Sequence, residues 1–344
     1  DVYNISENGN FRDESTGNFT GKNIPHLTRN LTDIASEKDM DPDELKNTLE
    51  EIRGILYTTR KKRIRPLLDD KILTDWNGLL MAAFATAGAV FDDADFTDAA
   101  RDIESFISSK MVTTDGRLHH RFREDEAGID AMADDYTAII WGLTELYQTT
   151  FDPEYLKKAI GYQEQFAGQF GDEKHGGFYF TSSESETPMG RQKEIYDGAL
   201  PSSNSIAAMN GFRLSRLTGN PEFERESDRV LSAFSEVISD NPSAYTFALL
   251  TRLTQQYAPR EIAVTVSEEN SELNAILGYL SATNRFLNSI VLKTKKTEQA
   301  LSELSSFTDS FPMGESPKIY ICRNFSCDAP VHSLDELKEN LQQN

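Results

Sequence analysis

The stretch DDKILTDWNGLLMAAFATAG, Asp69 to Gly88, decides the fold because a crowded polar group stands directly before a long apolar run. The sixteen residues from Trp76 to Phe91 carry no charge. A helix that is apolar on all sides must be covered on all sides by other elements. The stretch therefore predicts an inner helix, and it raises the question of what the polar residues at its start are for.

The same arrangement recurs along the chain. Apolar helices are predicted at 79–91, 138–147 and 205–217, and each is followed by an amphipathic helix with apolar residues three and four apart. Short hairpins after Gly116 and Gly176 lie sixty residues apart, as the first two apolar helices do. The predicted helices span residues 42–62, 73–91, 95–111, 133–149, 153–170, 202–217, 221–238 and 241–257.

Alternating buried and amphipathic helices predict concentric rings, the α/α toroid, in a mainly α fold. A superhelical solenoid of helix pairs is the competing architecture, but it would not need the hairpins. A closed six-hairpin toroid needs twelve helices, whereas eight are predicted. Gly-rich turns at the start of the chain resemble another hairpin between helices, so we expect the missing helices to lie upstream.

The pattern changes after Pro259. Strands are predicted at 262–266, 289–292 and 318–322, with helices at 271–279 and 335–341. We therefore expect two domains, a partial toroid at 1–258 and a small α/β domain at 259–344. The two cysteines of the chain, Cys322 and Cys327, indicate a structural or fortuitous pair, and a redox role is the less favoured interpretation.

Charge excludes several classes of partner. The 56 acidic and 35 basic residues give a net charge of -21, which argues against binding to nucleic acid or to an anionic membrane surface. The sequence contains no apolar stretch long enough to span a bilayer and no recognisable signal peptide. A cytoplasmic protein with a solvated acidic surface is the resulting expectation.

Polar clusters precede three inner helices, and parallel inner helices would bring them to one mouth of the ring. Acidic, amide and aromatic side chains around a bowl suit a sugar, whose hydroxyl groups need polar partners and whose C–H faces need flat ones. Plain N-capping is the alternative, at about even weight, since Asp, Ser and Asn are favoured caps. The clusters comprise Asp69, Asp70, Lys71, Asp75, Trp76 and Asn77, then Asp134, Asp135 and Tyr136, then Asp197, Ser202, Ser203 and Asn204.

Chemistry separates the roles within these clusters. A carboxylate at a helix N-terminus favours its charged form and makes a poor acid, although adjacent Asp134 and Asp135 could hold a proton if one is desolvated. We expect Asp135 and Asp75 at the reacting centre. His120 is a weaker acid–base candidate, since solvent exposure is the commoner fate of such a histidine. The predicted binding residues are Trp76 and Tyr136 as stacking platforms, with Asp70, Asn77, Asp134, Asp197, Ser203 and Asn204 as hydroxyl partners.

No cofactor is predicted, because the sequence contains no Gly-rich phosphate loop, nucleophile elbow or metal-binding His spacing. A metal-dependent cyclase of the terpene type is a weak third possibility. Its Asp-rich motif would have to be supplied by residues 92–95, which fall in a turn at the opposite mouth of the ring.

Four blocks of sequence, in order, resemble the YyaL-like, spermatogenesis-associated thioredoxin-domain proteins. The blocks are Lys62 to Gly78, Asp134-Asp135-Tyr136, Asp197 to Ser205, and Tyr320 to Cys327 with Pro330. The resemblance implies a six-hairpin toroid similar to N-acylglucosamine 2-epimerases and six-hairpin glycosidases. It also implies an upstream thioredoxin-like domain as a partner.

Two functions follow as hypotheses. The leading one is a carbohydrate-related enzyme, a sugar epimerase or isomerase or a glycoside-acting enzyme, with its site at the N-terminal ends of the inner helices. The alternative is a non-catalytic ligand-binding or scaffold domain that serves the upstream thioredoxin-like domain. The alternative predicts a bowl filled by side chains, without a pair of carboxylates facing a cavity.

Overall fold

The computed structural model describes residues 2–186, 190–257, 259–283 and 287–342, which form two compact units, Asp1–Asp69 and Asp70–Asn344. The first unit contains α1, Leu31–Glu37, and α2, Pro42–Lys61. Helix α2 begins where predicted, because Asp41 caps it through the amide of Asp43 and Pro42 occupies the first turn. A small apolar cluster stabilises this unit and consists of Ile34, Ala35, Leu45 and Leu49.

The second unit is built on pairs of inner and outer helices. The inner helices are α3, Thr74–Phe91; α5, Ala133–Thr150; α7, Ser203–Thr218; and α10, Thr246–Gln256. The outer helices are α4, Ala94–Lys110; α6, Pro153–Phe170; and α8, Pro221–Ala233, which is followed by the short α9, Ser235–Asp240.

The inner helices pack side by side in the order α3, α5, α7 and α10, and the outer helices α4, α6 and α8 pack on α3, α5 and α7. Every residue of α7 is buried, as an inner helix requires. The mainly α, toroid-type fold predicted from the sequence is confirmed. Helix α3 differs from the expectation, because it lies at the end of this row and leaves Leu80, Val90 and Phe91 exposed.

The first hairpin positions the start of α3. Strands β1, Ile72–Leu73; β2, His119–Arg123; and β3, Glu126–Asp130 form an antiparallel sheet in the order β1-β2-β3. Leu73 pairs with Arg121, so the chain enters α3 directly beside the two histidines of β2. The hairpin after Gly176 was predicted as strands too, but its pairing is a single bridge between Gly171 and Phe178.

The C-terminal residues form the predicted α/β unit. Its sheet has the strand order β5-β4-β6-β7, with β4 and β5 parallel and β4 and β6 antiparallel. Its core is apolar and joins strand and helix residues such as Ile262, Ile276 and Ile319. The elements are β4, Arg260–Thr265; α11, Ser271–Ser281; β5, Asn288–Lys293; α12, Glu298–Leu304; β6, Lys318–Arg323; β7, Ser326–Cys327; and α13, Leu334–Gln342.

The predicted boundary between two domains falls at residue 258, outside the described residues, and the proposed division at that point stays a prediction. Cys322 and Cys327 are joined by a disulfide across β6 and β7. None of the helices in the described ranges combines the length and apolarity needed to cross a membrane.

Candidate functional site

The candidate site lies where α3, α5 and α7 begin. Strand β2 adds a histidine to these helix ends, because the hydroxyl of Thr74 donates to the carbonyl of His119 at 2.5 Å and ties the strand to the first turn of α3. Successive side chains of a strand point to opposite faces, so only one of the two histidines faces the helix ends. That residue is His120.

Asp135 is the centre of the cluster and is fully buried. Its Oδ2 accepts the amide of Met132 at 2.8 Å, in the manner of a capping residue in the first turn of α5. Its Oδ1 accepts the amide of Asp75 from α3 at 3.0 Å. Nδ1 of His120 lies 3.0 Å from both carboxylate oxygens. One carboxylate therefore joins two helix ends and a strand.

His120 is half-buried, and its pKa is raised above the ordinary value. The hydrogen bond to Asp135 is the main cause, and burial, which disfavours the cation, opposes it. The negative charges of Asp135, Asp75 and Asp134 raise this pKa further. The imidazole therefore holds its proton to a higher pH than a free histidine does.

Asp134 adjoins Asp135 in the first turn of α5. Burial is the main cause that raises the pKa of Asp134 to about 6, and a hydrogen bond from Ser203 acts in the opposite direction. The charges of Asp75, Asp135 and Glu194 add to the rise. This carboxyl group can therefore carry a proton close to neutral pH.

Asp75 completes the group of acids. Burial raises the pKa of Asp75 above its ordinary value, and the charge of Asp135 raises it further. The amide of Trp76, which donates to Asp75 Oδ1 at 2.8 Å, lowers it. The pKa values of Asp75, Asp134 and His120 are thus all shifted by neighbouring charges, which is typical of acid–base sites.

Asp75, His120 and Asp135 are also close enough to hold a metal ion, since one possible ligand atom from each lies within 4.8 Å of the others. Asp135 is a poor ligand in this arrangement, because both of its oxygens already accept hydrogen bonds from amides and from His120. The donor set therefore suits hydrogen bonding and proton transfer better than metal coordination.

Three further predicted residues lie in the first turn of α3 or just before it. Trp76 is 61% exposed and lies next to Asp75, so its indole is free to contact a ligand. The side-chain amide of Asn77 donates to the carbonyl of Leu73 at 2.8 Å. Asp70 is paired with Arg123 at 2.7 Å in the approach to the helix. Asn77 and Asp70 thus make structural contacts, and their roles as hydroxyl partners stay predictions.

Two predicted binding roles conflict with burial. Tyr136 is 1% exposed, and its ring packs among Tyr162, Phe166 and Phe170. A sugar cannot stack on a ring that has no accessible face, so the stacking role is wrong for Tyr136. The error arises because α5 points residues 134 and 136 in different directions, about 200° apart around the helix axis.

Asn204 is fully buried, and its side chain is committed to the backbone of the second hairpin. Its Oδ1 accepts the amide of Phe178 at 2.8 Å, and its Nδ2 donates to the carbonyls of Phe178 and Glu194 at 2.9 and 2.8 Å. The predicted contact with a ligand hydroxyl is therefore replaced by a structural role.

Asp197 likewise braces helices. Its Oδ1 accepts the amide of Ser202 at 3.0 Å, and its Oδ2 accepts the amide of Phe247 at 2.7 Å in the first turn of α10. From the loop before α7, this carboxylate caps α10, and backbone amides donate to both of its oxygens. Ser203, by contrast, contacts the cluster itself through Asp134.

Glu194 is the contributor to the cluster that the sequence reasoning missed. It lies in the loop before α7, and its charge raises the pKa of Asp134. No spacing or cap motif marks this position, because a loop residue reaches the cluster only through the path that the loop takes in three dimensions.

Comparison with known proteins shows relatives of greater length. No family model matches the chain. The Caenorhabditis elegans uncharacterized protein B0495.5 is 29% identical over 98% of this chain and 47% of its own length. Human spermatogenesis-associated protein 20 is 25% identical over 98% of this chain and 45% of its own, and the mouse protein is 26% identical over 99% and 45%.

The resemblance to the spermatogenesis-associated proteins is thus confirmed over nearly the whole chain, which spans about half the length of these relatives. Solved structures that resemble the chain include a cellobiose 2-epimerase from Spirochaeta thermophila, at 14% identity and a TM-score of 0.40 over 48% of this chain and 43% of that one. A family 76 α-mannanase from Bacteroides thetaiotaomicron has 13% identity and a TM-score of 0.43 over 54% and 53%.

Proposed function

We propose that the chain is an acid–base enzyme that acts on a carbohydrate, as a sugar epimerase or isomerase or as a glycoside-acting enzyme. The observation that carries the proposal is the closeness of Asp75, His120 and Asp135 beside Asp134, a third carboxyl group, whose pKa is about 6. These reactions need one group that removes a proton and another that supplies one.

The pairing of His120 with Asp135 supports the first role. Because Nδ1 lies against the buried carboxylate, Nε2 is the ring atom left to meet a substrate. A carboxylate that orients an imidazole also stabilises its cation, and it holds the ring in one position during proton transfer. Asp135 is therefore a positioning residue, and His120 is the group that exchanges the proton.

Asp134 and Asp75 support the second role. A general acid or base works best when its pKa lies near the working pH. The carboxyl of Asp134, whose pKa is about 6, meets that condition. Asp75 comes from another helix and adds a second carboxyl whose pKa is raised by burial. Acid and base are thus available from different elements.

The preference for a carbohydrate depends on Trp76. Its exposed indole adjoins Asp75, which places a flat apolar face next to a hydrogen-bond acceptor. Pyranose rings present C–H faces and hydroxyl edges, which match such a pair. Anionic substrates are less suited, because the acidic cluster and the net charge of -21 repel anions.

Deuterium exchange tests the proposal. A thermal-shift screen of mono- and disaccharides first identifies binders, and proton NMR in D2O then follows them with the protein. An epimerase or isomerase replaces a carbon-bound hydrogen next to the carbonyl by deuterium, whereas a glycosidase releases a new reducing end. His120→Gln and Asp134→Asn should each lower the rate by about 10²- to 10⁴-fold, the usual loss for an acid–base group.

Matched controls separate catalysis from stability. His175→Gln changes an exposed histidine beside Asp172, and Asp130→Asn changes an exposed carboxylate on β3. Both should leave the rate within about twofold of the unchanged protein. Trp76→Ala should raise KM more than it lowers kcat. Equal rates for the folded His120 and Asp134 variants and for their controls would contradict the proposal.

A non-catalytic role is the second candidate. It is favoured by the amides of Met132 and Asp75, whose bonds to Asp135 are what a structural brace of two helix ends would show. The chain would then be a scaffold or ligand-binding partner of an upstream thioredoxin-like domain. In that case no sugar gains deuterium or releases a new reducing end, and changes at Asp135 lower the melting temperature more than changes at His120 do.

A further inference from the structure

The hairpin that joins β6 and β7 is closed by strand pairing and by a disulfide. Cys322 and Cys327 lie opposite each other in the register and are linked by a disulfide. The two residues of the turn, Asn324 and Phe325, have φ angles of 50° and 60°. A two-residue turn of this type requires left-handed backbone at both positions, which Asn accepts readily and Phe does not. We call Asn324–Phe325 the hairpin tip.

The hairpin tip contacts a buried ionic network. Nη1 of Arg216, near the end of α7, donates to Oδ1 of Asn324 at 3.1 Å, and the amide of Phe325 donates to Oε2 of Glu261 at 3.0 Å. Arg216 and Glu261 are themselves 3.0 Å apart and buried. The guanidinium also lies 5.4 Å from the centre of the Phe325 ring. The surroundings thus hold Phe325 in its unfavourable conformation.

The two sulfur atoms differ in accessibility. Cys322 is fully buried in β6, whereas Cys327 is half-buried in β7, the edge strand of the sheet. No strand described in this sheet pairs with the outer edge of β7. A thiolate must reach a disulfide sulfur to attack it, and Cys327 is the sulfur that offers an approach.

We propose that Cys322–Cys327 is an exchangeable disulfide, reduced by an external dithiol in the folded protein, and that its state sets how firmly the hairpin tip holds Arg216 and Glu261. The attacking thiolate forms a bond to Sγ of Cys327, and the bond between the two cysteines breaks. Cys322 leaves as a thiolate and takes up a proton. The second thiol of the dithiol then attacks the mixed disulfide and releases Cys327, so the dithiol is oxidised and the protein pair is reduced by two electrons.

The disulfide is coupled to the hairpin tip through the register. It fixes the pairing of Cys322 with Cys327 one step from the turn, and this pairing keeps the amide of Phe325 aimed at Glu261. Without the covalent link, only noncovalent contacts maintain the unfavourable left-handed conformation of Phe325. The reduced hairpin should therefore open more often, and Arg216 should lose its contacts with the hairpin tip.

Mapping of a mixed disulfide tests the route of exchange. The folded protein is treated with millimolar glutathione, the freed thiol is trapped at once with iodoacetamide, and peptides are identified by mass spectrometry. We expect glutathione on Cys327 and the alkyl group on Cys322. Glutathione mainly on Cys322, or a disulfide that is reduced only after denaturation, would overturn the proposal.

Hydrogen exchange tests the coupling. The amide of Phe325 should exchange at least about tenfold faster in the protein reduced and alkylated at both cysteines than in the oxidised protein. The double variant Cys322→Ser, Cys327→Ser should match the reduced form, while the amide of Ile262 in the core of β4 stays protected in all three. Equal protection of Phe325 in the oxidised and reduced proteins would contradict the coupling.

Discussion

Two adjacent acids at the start of α5 have different surroundings. Asp135 accepts two amides and the imidazole of His120, whereas Asp134 receives a hydrogen bond from Ser203 and is desolvated among other acids. A helix N-terminus alone would favour the charged form of both carboxyl groups. For Asp134, burial outweighs that effect and produces a carboxyl that keeps a proton near neutral pH.

Asp134→Asn should raise the free energy of unfolding more at neutral pH than at acidic pH. The folded-state pKa of about 6 lies above the ordinary value of 3.8, so the stability that this group contributes is present below about pH 4 and lost as the pH rises through 6. Asn does not titrate and avoids this loss. Two pKa units correspond to about 3 kcal/mol, which partial exposure reduces to about 2 kcal/mol.

Urea unfolding measures the free energies of unfolding of Asp134→Asn and of the unchanged protein at about pH 4 and about pH 7.5. The effect is the change with pH in the difference between these two free energies. Asp130→Asn, the exposed control on β3, should show a change within about 0.5 kcal/mol. If the difference in free energy of unfolding between Asp134→Asn and the unchanged protein does not grow with pH, the prediction is contradicted, because the carboxyl of Asp134 is then charged at little cost.

The sequence indicated which residues lie at the helix ends, but not the direction in which each side chain points, and the catalytic roles stay predictions. Asp75, Asp135 and His120 were expected together and do contact one another. Tyr136 and Asn204 share the same helix ends but point into the core. Whether a side chain points into the core or toward the site depends on how its helix is rotated against the neighbouring helices. The sequence of that helix alone does not determine this rotation.

At the scale of elements, two glycines bring α3 and α5 into close contact. A β-carbon built on Gly78 would lie 2.6 Å from the carbonyl carbon of Ala138. One on Gly142 would lie 2.8 Å from the carbonyl oxygen of Gly78. The two backbones thus approach where no side chain fits, and this contact positions Asp75 and Asp135 relative to each other.

Gly78→Ala should therefore lower the free energy of unfolding by about 2 to 3 kcal/mol, since the backbone of α5 has to move and this cost exceeds the gain in helix propensity. Gly161→Ala in α6 is the matched control, because a β-carbon there meets open space. It should be neutral or stabilising by up to about 1 kcal/mol. Thermal or urea unfolding compares the two, and equal effects would contradict the close packing of α3 on α5.

Helix positions were largely predictable from apolar spacing and caps. The predicted helix 153–170 matches α6 at both ends, because Asp152 and Pro153 mark its start unambiguously. The predicted helix 221–238 is instead interrupted after α8, and α10 begins five residues later than expected, after a short 3₁₀ turn at Pro242–Ala244. Pro242 begins this 3₁₀ turn rather than the helix, and Asp197 caps the first turn of α10.

At the scale of the whole molecule, the acidic surface and the acidic site have different origins. The net charge of -21 comes mostly from exposed residues that keep the protein hydrated. The acids of the site are held in place by the row α3, α5 and α7, whose starts lie together. The polar clusters were predicted at one mouth on the condition that the inner helices are parallel, and the row explains why residues sixty apart, Asp75 and Asp135, share a hydrogen bond.

The central claim is that these helix ends form one acid–base site, and an NMR pH titration of the His120 ring tests it most directly. His120→Gln assigns the resonance by its loss. We expect the folded protein to show a titration midpoint above the ordinary value of about 6.5, since Asp135, Asp75 and Asp134 favour the imidazolium. In Asp75→Asn, a change on a different helix, the midpoint should fall. A midpoint of about 6.5 that Asp75→Asn leaves unchanged would contradict the account.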